Sequence, residues 1–241
     1  MSLAEKLRMQ FRAWKYRYRL DRAEIRFVLE QLRPGDMAVD IGAHKGAYSY
    51  WMCRAVGQSG QVFAFEPQAD LAAYLQRVKS LFQLDNLTVE NCAVSSVNGS
   101  ASLKVPGDGP DPGATMETGL ILRQHQSRPV RTVTLDSYFE TASKPIALIK
   151  CDVEGHELAV FEGASTVLRR DKPALLFECE ERHHRRYSNR EVFRYLTDLG
   201  YEGFFFAQNR RVPVGDFNVI THGNPEGENY INNFVFLRPG G

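Results

Sequence analysis

Apolar positions at the start of the chain advance by three or four. Leu7, Phe11, Trp14, Tyr18, Ile25, Val28 and Leu32 form one stripe, which predicts helix over residues 3–32. Asp21 and Glu24 have the spacing of a capping box and predict a break into two helices near residue 21. After the turn signal Pro34-Gly35 the pattern changes. Residues 37–41 are a short apolar run that predicts a buried strand, and a loop with glycines at 42 and 46 leads into a helix over 48–56. A second strand is predicted over 61–66, a helix over 68–83 with Leu71, Tyr74, Leu75, Val78 and Phe82 on one face, and a third strand over 87–94. Asn98-Gly99 is a hairpin signal before a short strand over 100–105. Residues 106–113, rich in proline and glycine, cannot hold regular structure and read as a mobile loop, either a lid over a site or an insertion.

In the second half, strands over 131–135, 146–151, 174–179, 201–207 and 233–237 alternate with helices over 136–140, 157–169 and 189–199. Such alternation predicts an α/β fold: a doubly wound, mostly parallel seven-stranded sheet with helices on both faces. The last strand pair predicts an antiparallel C-terminal edge hairpin. Residues 1–33 are read as an N-terminal helical extension and 34–241 as the α/β domain.

Composition narrows the picture. With 241 residues, 43% of them hydrophobic, the chain can bury a full core. Its 30 Lys/Arg against 29 Asp/Glu give no electrostatic case for nucleic acid. No apolar run approaches the roughly 18 residues of a membrane span, and the N-terminus lacks a signal-peptide core. Cys53, Cys92, Cys151 and Cys179 are scattered without a C-x-x-C pair, which predicts reduced, buried thiols and a cytoplasmic protein. Charge is nevertheless uneven. Residues 1–33 carry nine Lys/Arg and four Asp/Glu. That helix reads as a cover packed on the domain, or as a surface for an anionic membrane or for a second copy in a homo-oligomer.

Candidate chemistry lies at the strand ends, where ligands bind in such sheets. Three predicted ends carry acids: Asp40, Glu66 and Asp152. Glu66 follows Gly42 by 24 positions, near the offset at which a carboxylate accepts two ribose hydroxyls, so the set points to a nucleoside-containing cofactor. A single such acid would be read as a helix cap. The glycines are spaced Gly-x-x-x-Gly, not Gly-x-Gly-x-x-Gly, and no Ser-Tyr-x-x-x-Lys pattern occurs, which disfavours a nicotinamide-dependent oxidoreductase.

Val39-Asp40-Ile41-Gly42-Ala43-His44-Lys45-Gly46-Ala47-Tyr48-Ser49, Phe65-Glu66-Pro67, Thr134-Leu135-Asp136, Ile149-Lys150-Cys151-Asp152-Val153-Glu154-Gly155-His156-Glu157 and Glu162-Gly163-Ala164 together resemble the FkbM family. The family comprises S-adenosylmethionine-dependent methyltransferases of the Rossmann-like class. The likeness covers roughly residues 36 to 182; Cys151 stands where the family often has an aliphatic residue. The resemblance implies S-adenosyl-L-methionine as cofactor. Asp40 would hold the donor's ammonium, the 42–46 loop (Gly42, Ala43, Gly46) would close over its methionine part, and Glu66 would take the ribose hydroxyls. Ala93 and Val94 would border the adenine, with Tyr48, Pro67 and Asp152 also in the donor site. It implies methyl transfer to a hydroxyl of a small-molecule or glycan acceptor, a sugar or polyketide-like metabolite. Asp152 and Glu154 would stand on the acceptor side, with His156 as the alternate base.

Several residues keep two readings. Lys150, in an apolar strand, must be paired with Asp152 or Glu178, or else orients the acceptor. His44 reads as making a local hydrogen bond, and Glu157 as a helix cap. Asp152, Glu154, Glu178 and His183 together could ligate a divalent ion, although no metal-ligand spacing supports it, and no metal is assigned. Arg182, His183, His184, Arg185 and Arg186 read as a solvated loop or as a contact for an anionic acceptor. The competing reading for the whole chain is a catalytically silent scaffold that uses its basic N-terminal helix to bind a partner or a membrane.

Overall fold

The computed structural model describes residues 3–107, 109–117, 125–183, 187–208 and 210–240. Its core is an eight-stranded sheet in the order β10-β9-β11-β8-β7-β1-β2-β3. The strands are β1 (Met37–Ile41), β2 (Gln61–Phe65), β3 (Leu87–Glu90), β7 (Ile146–Cys151), β8 (Ala174–Glu178), β9 (Glu202–Ala207), β10 (Arg210–Pro213) and β11 (Asn233–Leu237). β3, β2, β1, β7 and β8 pair in parallel; β11 runs antiparallel between β8 and β9. β1 is central and all five of its residues are buried, which is why it reads as an unbroken apolar run and not as an alternating one.

Eight strands replace the expected seven. The additional one, β10, forms the edge hairpin with β9 and was hidden by its Arg-Arg start. β11 lies inside the sheet and not at its edge. The expected strand over 87–94 is two strands in two sheets. Asn91 interrupts it: its side-chain amide donates to the carbonyls of Glu66 (2.9 Å) and Pro67 (3.1 Å). The chain then enters β4 (Ala93–Val94), which joins β6 (His125–Val133) and β5 (Gly99–Pro106) in a separate three-stranded sheet. Asn98-Gly99 is therefore not a hairpin turn, because β6 lies between β4 and β5. Asn98 Oδ1 instead accepts from Thr134 N (2.8 Å) and Ser137 Oγ (3.1 Å), at the start of α5 (Leu135–Tyr138).

Helices α3 (Ala47–Val56) and α4 (Ala69–Phe82) cover one face of the large sheet. Helices α6 (Glu157–Glu162), α7 (Ser165–Asp171) and α8 (Asn189–Asp198) cover the other. The expected single helix over 157–169 breaks at Gly163, where a Cβ would meet the Ser95 carbonyl at 2.1 Å. Asp136 restarts it, accepting from Thr166 N and Val167 N, both at 2.9 Å. All four cysteines are free and buried.

The N-terminal segment is α1 (Leu3–Lys15), a π-turn at Tyr16–Leu20, and α2 (Arg22–Gln31), with the break at Asp21. The capping box is not made there; Asp21 accepts instead from the Tyr48 hydroxyl at 2.9 Å. The predicted stripe divides. Ile25, Val28 and Leu32 are buried with α3, as are Met9 and Ala13, and the Trp51 indole donates to the Ala13 carbonyl at 2.8 Å. Leu7, Phe11, Trp14 and Tyr18 instead face outward, at 56%, 73%, 49% and 55% exposure. Among the described residues, no helix is long and apolar enough to cross a membrane.

Candidate active site

A cleft of about 520 Å³ opens outside the carboxyl ends of β1, β2 and β7. It is lined by Gly42, Ala43, His44, Tyr48, Glu66, Pro67, Ala93, Val94, Asp152 and Glu154, so the two halves of the expected site meet. Gly42 shows why they can. Its φ is +70°, and a Cβ there would stand 1.8 Å from the Asp152 carbonyl oxygen. The glycine thus makes room for the neighbouring strand end, next to the bond from Asp152 N to the Ile41 carbonyl (3.1 Å). Gly46 (φ +76°) does not line the cleft; it starts α3, and a Cβ there would meet Leu75 Cδ2 at 2.6 Å.

Glu66 is 2% exposed. Its Oε2 accepts from the His44 N–H (2.8 Å) and its Oε1 from the Gln68 N–H (2.9 Å). Burial pushes its carboxyl up to about 7, against the pull of these two donors. Each oxygen keeps a further lone pair for a ligand hydroxyl. The local hydrogen bond expected of His44 is made by its backbone. Its ring, whose pKa burial and Lys45 lower to about 4, lines the cleft with a buried Nε2 that has no hydrogen-bond partner. Phe65, Cys92, Ala93, Val94 and Leu103 supply an apolar wall.

Asp40 lies behind the cleft. It is fully buried; one oxygen accepts from Ser49 Oγ at 2.5 Å and the other is 3.6 Å from Lys150 Nζ. Lys150 also reaches Asp152 Oδ2 at 3.2 Å and the Gly42 carbonyl at 3.3 Å. Burial pulls its pKa down, but Asp152 and Asp40 outweigh this and raise it, so Lys150 is a buried cation between two carboxylates. The carboxylate expected to meet a donor ammonium is thereby already occupied by an internal one.

At the other end Asp152, Glu154 and Glu178 bring carboxylate oxygens within 4.8 Å of one another. Burial, with Asp152 and Glu154 adding to it, pushes Glu178 up to about 10, and Glu178 hydrogen-bonds Glu180. Burial also raises Glu154, against the pull of His183, whose Nδ1 is 2.7 Å from Glu154 Oε2. Glu154 has φ +53°, and Gly155 follows at φ +95° with the His183 carbonyl 2.7 Å from where its Cβ would be. This tight pair of left-handed residues aims the Glu154 side chain. His156, the alternate base, does not line the cleft. Its ring is held between Ser95 Oγ and Glu117 Oε1, each at 2.9 Å. Glu157, buried, accepts from the Gly155 N–H at 3.0 Å in the turn before α6.

Apart from the 106–113 loop, read as a lid or an insertion, no motif marks the rest of the lining. Arg12, Tyr16, Asp21 and Glu24 reach the cleft from the N-terminal helices, and Tyr230, Asn232 and Asn233 from the approach to β11. Pro112, Ala114 and Met116 come from the loop after β5. That loop is fastened, with Gln68 paired to the Asp111 backbone in both directions (2.9 and 3.0 Å) and Thr115 Oγ1 donating to the Glu154 carbonyl (2.6 Å). Of the basic run, Arg182 pairs with Glu180. His184, Arg185 and Arg186 lie outside the described residues.

A doubly wound sheet whose first βα loop, second-strand acid and fourth-strand acids share one cleft defines a Rossmann-like nucleotide-cofactor enzyme. Residues 40–202 match the model of the methyltransferase FkbM domain. The chain belongs to the FkbM family of S-adenosylmethionine-dependent methyltransferases. It is similar to hexuronic acid methyltransferase AglP of Haloferax volcanii, at 28% identity over 158 residues, 65% of this chain and 62% of that one. Methyltransferase FkbM from Methylobacillus flagellatus superposes with a TM-score of 0.53 at 18% identity, over 88% of this chain and 50% of that one. An rRNA methylase from Streptococcus thermophilus superposes at 0.50 and 13% identity, over 89% and 92%. The chain thus spans less than two thirds of the length of the Haloferax and Methylobacillus proteins.

Proposed function

We propose that this protein transfers the methyl group of S-adenosylmethionine to a hydroxyl oxygen of a sugar or glycan. The observation that carries this reading is the two-ended cleft, with Glu66 and an apolar wall at one end and Asp152, Glu154 and Glu178 at the other. Glu66 would accept the two ribose hydroxyls, and Ala93, Val94, Phe65 and Leu103 would border the adenine. His44 Nε2, buried without a partner, offers a further polar contact. The methionine carboxylate would be met by Arg12 or Lys45, both on the lining, while Lys150 would keep its place between Asp40 and Asp152.

The donor supplies an electrophilic methyl carbon, and the remaining work is orientation and proton removal. Glu178, raised to about 10 and donating its proton to Glu180, is not the base. Asp152 is engaged by Lys150. Glu154 is left with a raised pKa and an imidazole behind it. Glu154 would therefore be the base: bound in the cleft, S-adenosylmethionine would supply the methyl carbon and leave as S-adenosylhomocysteine when its carbon–sulfur bond breaks, and the Glu154 carboxylate would take the proton of the acceptor hydroxyl, with His183 stabilising the pair. The polar surface of carboxyls, Tyr230, Asn232 and Asn233 favours a polyhydroxylated acceptor over an apolar polyketide, and the hexuronate activity named for the Haloferax relative supports a sugar.

Calorimetric titration tests the donor end. S-adenosylmethionine and S-adenosylhomocysteine should both bind, Glu66→Ala should weaken both by at least about 100-fold through loss of two charge-assisted hydrogen bonds, and NAD should not bind. An acceptor screen on sugars and uronates, read by NMR of the new methoxyl group, tests the rest. Failure of both sulfur ligands to bind folded protein would return the chain to the scaffold reading.

A further inference from the structure

The outward face of the N-terminal helix is unlike the rest of the surface. Leu7, Phe11, Trp14 and Tyr18 succeed one another at helical spacing, each about half exposed or more. Trp14 stacks on Tyr18 with ring centroids 5.1 Å apart, so the row is continuous and aromatic. The opposite face of the same helix is already used, with Met9 and Ala13 fully buried against the domain. At 100° per residue, Arg8, Lys15 and Arg19 border the row on one side, while Lys6 and Arg17, on the other, lie over the Phe82 and Trp51 rings of the domain. Within residues 3–20 there are six Lys/Arg and one acid, Glu5.

We propose that this face binds the surface of an anionic lipid bilayer, with the helix lying in the interface plane. Apolar and aromatic side chains beside the cations Arg8, Lys15 and Arg19 match the headgroup boundary, where rings sit at the level of the headgroups and cations pair with anionic lipid. A second copy is a poor occupant. In a two-fold dimer the same patch meets itself, so Arg8, Lys15 and Arg19 would be brought against cations of the same set with one glutamate to offset them. A spanning role is excluded for this helix by its length. Arg12, Tyr16 and Leu20, on another side of the same segment, line the cleft, so the docking face and the cleft lining do not compete for the same side chains. The inference rests on the helix face and not on the acceptor reading above.

Sedimentation of the full chain with vesicles tests it. Vesicles of phosphatidylcholine containing phosphatidylglycerol should pellet the protein, and pure phosphatidylcholine vesicles should pellet it at least tenfold less. Arg8→Glu/Lys15→Glu/Arg19→Glu should weaken binding on the order of 100-fold, since each surface cation is worth roughly a factor of five. Leu7→Ser/Phe11→Ser should weaken it by about tenfold or more. These five side chains lie outside the cleft, so the variants should melt at the wild-type temperature. Binding should shift tryptophan emission to the blue, and Trp14→Phe should abolish the shift. Absence of wild-type pelleting with either vesicle, or equal pelleting with both, would overturn the proposal. So would a dimer in analytical ultracentrifugation that Leu7→Ser/Phe11→Ser dissolves while vesicles bind nothing, which would assign the face to a second copy.

Discussion

Gly42→Ala tests how the two halves of the site are joined. The residue sits at φ +70°, and a left-handed alanine costs about 1–2 kcal/mol. The added methyl would also lie 1.8 Å from the Asp152 carbonyl oxygen, far inside any real contact, so the 42–44 loop and the β7 end must separate. Overpacking of this kind adds about 1–3 kcal/mol, for a total of about 2–5 kcal/mol. Gly57→Ala separates out the steric part, because Gly57 (φ +64°, ψ −172°) has nothing within 4 Å of its would-be Cβ and should lose a conformational cost alone, about 1–3 kcal/mol for a backbone region reserved for glycine. Urea denaturation monitored by circular dichroism measures both. In the same preparations S-adenosylmethionine affinity should fall at least about tenfold for Gly42→Ala, because small misplacements of positioning groups are costly, and stay unchanged for Gly57→Ala. If Gly42→Ala loses no more than the about 1–2 kcal/mol of a left-handed alanine and binds the donor normally, the close approach of β1 and β7 is not what the glycine is for.

Lys150→Met leaves Asp40 and Asp152 facing each other without their buried cation, and should cost about 3–5 kcal/mol; urea titration checks this, and Asp40→Asn in the same chain should restore part of it. Burial raises the Glu66 carboxyl to about 7 in the folded state, against the 4.5 of an ordinary glutamate, so the folded state binds the extra proton. Its contribution to stability is present below pH 4.5 and lost as pH rises to 7, about 3 kcal/mol in total. Wild type should therefore lose that much more stability than Glu66→Gln across the window, and parallel curves would refute the shift. Glu154→Gln should lower kcat by about 100-fold or more with donor affinity retained, and the acid limb of the wild-type kcat profile should lie above the ordinary glutamate range. His156→Ala should cost about 1–2 kcal/mol of stability through its two ring contacts but less than tenfold in kcat; a kcat lost as completely as in Glu154→Gln, in folded protein, would make His156 the base. Chelation by EDTA should leave kcat unchanged if Glu154 acts as base, and a loss restored by a divalent cation would give the Asp152, Glu154 and Glu178 cluster to a metal instead.

Local pattern fixed most of the elements. The apolar run of β1, the strand-helix alternation and the acids at strand ends each follow from a few neighbouring residues, because burial on both sheet faces leaves a continuous apolar signature and a parallel strand must hand over to a helix. These features pointed to Gly42, Asp40, Glu66 and Asp152 as one site, of which the fold sets Asp40 behind the cleft; Ala43 and Glu154 were implied by the family resemblance. What lay beyond reach were decisions made by distant backbone. Asn91 ends β3 because the carbonyls of Glu66 and Pro67 lie within its reach, Asn98 serves α5 in place of a hairpin, and Gly163 breaks a helix because residue 95 passes against it.

The candidate base is the clearest case. By sequence, Asp152, Glu154 and His156 stand at alternate positions after a strand, with His156 the alternate base. Tertiary contacts separate them: Lys150 occupies Asp152, Ser95 and Glu117 hold His156 away from the cleft, and burial, against the pull of His183, leaves Glu154 raised and facing it. The same holds for the first helix, where the periodic stripe Leu7, Phe11, Trp14 and Tyr18 is a fact of sequence. Which face met the core was settled by the shape of α3, which accepted Met9 and Ala13 and left the aromatic row to solvent. Sequence specified the period, the charges and the acids at strand ends, because these depend on neighbours along the chain. The fold alone decided which faces were covered and which carboxylate stayed available, because burial and pairing depend on neighbours in space.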